Sequence, residues 1–120
     1  MYNLQTEEPG VKAHMVRLIG GAASIAKDGD APAAGGYGIT ATRTGTGAYK
    51  LAWGANPGVF QGWSCDLGAA TPANLAGHTV VRDTYDASAH ELDFSLFNAS
   101  DAAHDLANNE YVDIVVYFKG

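Results

Sequence analysis

The chain has 120 residues, 47% of them apolar and 17% charged, and a formal net charge of −6. That length suits one domain, and the balance is that of a chain that folds, far from the polar, highly charged compositions that stay disordered. Seven cations, dispersed as Lys12, Arg17, Lys27, Arg43, Lys50, Arg82 and Lys119, stand against thirteen acids, which argues against nucleic acid as a partner; no apolar run reaches the ~18 residues of a membrane span, so no membrane partner is expected either.

In chain order, "MYNLQTEEPG", residues 1 to 10, reads as an extended polar arm ahead of a single domain at 11–120. It lacks the basic start and apolar stretch of a secretory leader, so synthesis in a host cytoplasm is expected. "VKAHMVRLI", from Val11 to Ile19, is a strand set off by Pro9-Gly10 and Gly20-Gly21, and its loose alternation allows burial on both faces. "AASIA" is a short weak strand. "KDGDAPAAGG", from Lys27 to Gly36, is an exposed loop; its two aspartates and glycine lack the spacing and the terminal glutamate of a calcium loop.

The clearest local signal is "ATRTGTGAYKLAW", from Ala41 to Trp53. Ile39 and Ala41 share one face of the first strand, Tyr49, Leu51 and Trp53 one face of the second, and Thr44-Gly45-Thr46-Gly47 reverses the chain between them as a hairpin. "GVFQGWSCDL" is a strand placing Val59, Gln61, Trp63, Cys65 and Leu67 on one side and Phe60 opposite, with a kink or bulge expected at Gly62. Cys65 is the chain's single cysteine, which rules out an internal disulfide; it is expected as a small buried apolar residue. "GAATPANLAG" is a loop of small residues.

The last third alternates most cleanly. "HTVVRDTY" pairs with "HELDFSLF" across the turn "DASA", with Leu92, Phe94 and Leu96 inward and Asp86 able to bond its own backbone. "SDAAHDLANN" is either a short helix capped by Ser100 or Asp101 and ended at Asn108, or an ordered loop. "YVDIVVYF" buries Val112, Ile114, Val116 and Phe118 and leaves Tyr111, Asp113, Val115 and Tyr117 outside. About eight strands and at most one short helix define an all-β chain, an antiparallel β-sandwich with jelly-roll-like connections.

Reactive constellations are not evident. "HEL" at His90 lacks the second histidine of a metalloprotease helix, and "DAAHD", with Asp101, His104 and Asp105, lacks a further set of ligands. No catalytic residue, metal or cofactor is expected. Asn98 opens a glycosylation sequon that has no meaning without a secretory leader. Trp53, Trp63 and Phe60 follow strand spacing and read as packing residues. Tyr111, Val115 and Tyr117 form an apolar row on the solvent face of a strand, which points to contact with another chain.

"ITATRTGTGAYKLAW", "DFSLFN" and "EYVDIVVYFKG", spread between Ile39 and Gly120, resemble the small structural proteins of tailed-bacteriophage virions; the first 38 residues contribute little to the likeness. The resemblance implies a jelly-roll-like head decoration or cement protein, located in the virion on the outer capsid surface. Its partners would be the major capsid protein and further copies of itself, a trimer favoured over a dimer. The expected contact residues are Tyr2, Leu4, Glu7 and Glu8 in the arm and Tyr111, Val115 and Tyr117 on the last strand. The alternative is a carbohydrate- or receptor-binding module of a tail fibre or tail tip, using Trp53, Trp63 or Tyr85.

Overall fold

A computed structural model describes residues 10–21, 24–28 and 38–120. Among them are eight strands: β1 (Val11–Gly21), β2 (Ser24–Asp28), β3 (Thr40–Gly45), β4 (Ala48–Ala52), β5 (Val59–Ala69), β6 (Thr79–Arg82), β7 (Glu91–Phe97) and β8 (Glu110–Lys119). One four-stranded sheet has the order β2-β1-β8-β5 and the other β3-β4-β7-β6, all neighbours antiparallel. The chain changes sheet after β2, β4, β5 and β7, and its first and last strands pair at the centre of one sheet. This is the expected all-β sandwich with jelly-roll-like connections.

Period-two alternation builds the core. Val16 and Leu18 of β1, Tyr49 and Leu51 of β4, Leu92, Phe94 and Leu96 of β7, and Val112, Ile114, Val116 and Phe118 of β8 face one another across the layers in one buried cluster. Removing a side chain of this size from water contributes about 1.5–3 kcal/mol each, and an open sheet offers no other way to gain it. β1 is therefore buried on one face only: His14, Val16 and Leu18 are inward, while Met15 and Arg17 are exposed. The looser reading of that strand fails because His14, a polar residue in sequence, behaves here as a core residue.

The hairpin forms as expected, with β3 and β4 turning through Thr46 and Gly47, and Gly47 at φ +66° takes the left-handed conformation the reversal requires. β5 departs from the expected facing. A bulge between Phe60 and Gly62 lets Phe60 pair with Phe118 and Gly62 with Tyr117, so the extra residue Gln61 shifts the phase. Phe60, Trp63 and Leu67 consequently all pack against the core, and Val59 and Gln61 are exposed.

The helix considered for Ser100 to Asn109 is an ordered loop. Asn98 preempts the cap, its Oδ1 accepting the Ser100 and Ala102 N–H groups at 2.9 and 3.1 Å, and Ala103 makes a bridge to Phe97. Helical geometry appears instead as a 3₁₀ turn at Pro72–Leu75, inside the stretch of small residues, where Pro72 supplies the fixed φ of a first turn. In the turn after β6, Asp86 Oδ1 accepts from Ser88 and Ala89 as expected. The arm and most of the loop from Lys27 to Gly36 lie outside the described residues.

Candidate interaction face

The outer surface of the β2-β1-β8-β5 sheet is fixed by register, because residues directly opposite in an antiparallel pair share a face. Val115 of β8 lies between Met15 and Ser64, Tyr117 between Ala13 and Gly62, and Lys119 between Val11 and Val59. Further along, Asp113 lies between Arg17 and Asp66, and Tyr111 between Ile19 and Gly68. The face has two chemically different halves.

The half toward the end of β8 is largely apolar and open, with Lys119 set between Val11 and Val59. Met15 is 62% exposed, Val59 67%, Val11 39% and Tyr117 37%. Four large apolar side chains this accessible on adjoining strands form a patch, where a lone exposed leucine or valine would need no explanation. The other half is closed by its own contacts. Arg17 donates to Asp113 through Nε at 2.6 Å and Nη2 at 3.0 Å, and its guanidinium lies 4.0 Å from the centre of the Tyr111 ring. Gly68 sits so close to that ring that a Cβ there would run into it.

The expected contact residues therefore separate. Val115 and Tyr117 belong to the apolar half, whereas Tyr111 is held between Arg17 and the backbone at Gly68. Tyr2, Leu4, Glu7 and Glu8 lie outside the described residues. Sequence alternation found the β8 row; Met15, Val11 and Val59 were missed because only the pairing of three strands brings them beside it.

The remaining candidates resolve into structural roles. Asp105 accepts from Arg43 Nε and Nη2 at 3.1 and 3.0 Å and from the Gly47 N–H at 2.6 Å, and these hydrogen bonds, Arg43 first, hold its carboxyl below the usual carboxylate range. His104 packs edge-on against His78 with ring centres 4.9 Å apart. Among the described residues no group of three or more His, Cys, Asp or Glu side chains is placed to hold a metal. Cys65 is exposed, contrary to expectation, because β5 is an edge strand and its middle is not covered; partial burial and then neighbouring Asp66 push its thiol upward.

Of the aromatic residues considered for sugar binding, Trp53 is buried, and Trp63 and Tyr85 are half-buried. Trp53 is only 4% exposed, and Trp63 packs on Phe94 with ring centres 5.6 Å apart. Tyr85 stacks on Phe60 at 5.0 Å and 10°. No described helix is long and apolar enough to cross a membrane. No protein family, curated protein or solved structure matches the chain. What stands is a compact β-sandwich domain able to present a surface for protein or ligand binding.

Proposed function

We propose that the chain is a non-enzymatic decoration, or cement, protein of a tailed-bacteriophage head, binding the major capsid protein on the outer surface of the virion as a homo-oligomer. The observation that carries this reading is the open, largely apolar half of the outer sheet face, where Met15, Val59, Val11 and Tyr117 are exposed together with Lys119. The resemblance of three segments to virion structural proteins supplies the setting. In that role the apolar patch meets a sister subunit or a capsid subunit, and several copies engaged at once turn modest patches into firm attachment. The acidic pair Glu7 and Glu8 would meet basic groups of a neighbour.

The test is co-sedimentation of purified protein with expanded heads of its own phage, together with light scattering of the free protein. Saturable binding and a defined oligomer support the reading; a strict monomer that leaves heads bare overturns it. The tail-fibre alternative finds no support in the placement of Trp53 and Trp63, and a glycan array without hits that depend on either tryptophan would close it.

A further inference from the structure

A second feature lies beside the apolar face, where the start of β5 meets the end of β6 at the open edge of the sandwich. A cleft of about 870 Å³ opens there, within the size range of small-molecule sites. Three of the chain's seven Lys and Arg residues, Lys12, Arg82 and Lys119, line it, and among the described residues no Asp or Glu side chain does. Gly120 is also in the wall. On a chain of net charge −6, three of seven cations in one cleft is a marked local enrichment of positive groups.

Arg82 differs from the other arginines. Arg17 and Arg43 each hold a carboxylate through two nitrogens. The Arg82 guanidinium instead lies 4.8 Å from the Phe60 ring centre and donates from Nη1 to the Asp83 carbonyl at 2.7 Å. Its Nε is buried without a hydrogen-bond partner, and so is the hydroxyl of Tyr85, another residue of the cleft wall. Buried polar groups in folded proteins are nearly all paired, and two orphans on neighbouring residues of the cleft wall mark unused donor capacity. The Nε and Nη2 edge of a guanidinium is the fork that fits a carboxylate or phosphate.

We infer that this cleft binds a small organic anion, a carboxylate or phosphate ester carrying an apolar body, with Arg82 as the anion-reading residue, Tyr85 as a second donor, and Lys12 and Lys119 supplying attraction. Phe60 and Val59 give the body an apolar wall. Reaching Nε requires a change of the Arg82 rotamer, so binding displaces that side chain from Phe60. The inference does not rest on the decoration role, although Val59 and Lys119 border both the cleft and the apolar face.

The experiment is an amide NMR titration of the full chain with benzoate, phenyl phosphate and, as the neutral counterpart, benzyl alcohol. Saturable shifts at Gly58, Phe60, Thr84 and Tyr85 are expected for at least one anion, at least about tenfold tighter than for benzyl alcohol and weakened by added salt. Arg82→Gln should weaken that binding about tenfold and Tyr85→Phe by a smaller factor, in variants whose spectra stay dispersed. If Arg82→Gln does not fold, the paired change Lys12→Gln and Lys119→Gln serves, with the same direction. Benzoate against phenyl phosphate tells carboxylate from phosphate. Equal binding of benzyl alcohol, no saturation by either anion at about 10 mM, or anion binding indifferent to these substitutions would overturn the inference.

Discussion

The indole Nε1–H of Trp53 donates to Nδ1 of His14 at 2.8 Å in the interior, joining the strand that starts the domain to the end of the hairpin in the opposite sheet. Both rings also rest on Phe118, at centroid distances of 5.2 and 5.4 Å. An imidazole accepts at Nδ1 only in the neutral form, with its proton on Nε2. A proton added at Nδ1 replaces the acceptor by a donor facing a donor.

His14→Phe, which leaves the Trp53 N–H unpaired, should cost about 1–3 kcal/mol in urea unfolding at pH 7.5. A loss below about 0.5 kcal/mol, the range of a neutral surface change, would refute the contact as a stabilising one.

Asp105 anchors the loop before β8 by bonding Arg43 and Gly47 together. Its carboxyl is held below the ordinary range, chiefly by the Arg43 hydrogen bonds and next by the Gly47 N–H. Stability from this pair is present above the unfolded aspartate value of ~3.9 and lost as pH falls through the lower folded one. Asp105→Asn should destabilise by about 1 kcal/mol at pH 7, the part-exposed pair being screened. Urea midpoints from pH 7 to 2.5 should show a shallower acid limb in the variant.

Gly68 and Tyr111 share a space that admits one backbone and one ring. Gly68→Ala should push the ring from beneath Arg17 and destabilise by about 1–3 kcal/mol. Tyr111→Ala should remove most of that penalty in a double-mutant cycle. Additive losses would show that the alanine acts elsewhere.

On the apolar face, Met15→Ser with Tyr117→Ser should leave the unfolding midpoint within about 0.5 kcal/mol of wild type for each exposed position. Self-association and attachment to heads should fall together by tenfold or more, about 1.4 kcal/mol. Light scattering and co-sedimentation read both. Association that survives both changes would move the interface to another surface.

Strand number, the hairpin and the inward set of β8 were legible because each depends only on local alternation and turn residues. Leu92, Phe94 and Leu96 follow the same rule, and their strand sits where the pattern places it. What escaped was set by pairing. The phase of β5 turns on one extra residue at Gln61, whose effect becomes visible only against Tyr117 and Phe118. His14 counts as polar in any periodicity, yet its acceptor is what the indole of Trp53 requires. Cys65 looked apolar enough to be buried, but burial there needs a covering strand that the edge of the sheet does not have. The cationic cleft was invisible because Lys12, Arg82 and Lys119 lie on three strands or strand ends far apart in sequence.

β8 is the central partner of both β1 and β5. During synthesis this sheet has no middle until β8 is made, so β1 and β5 wait without the strand that joins them. Contacts between residues so distant along the polymer are slow to find, which places folding on the millisecond-to-second scale of β topologies.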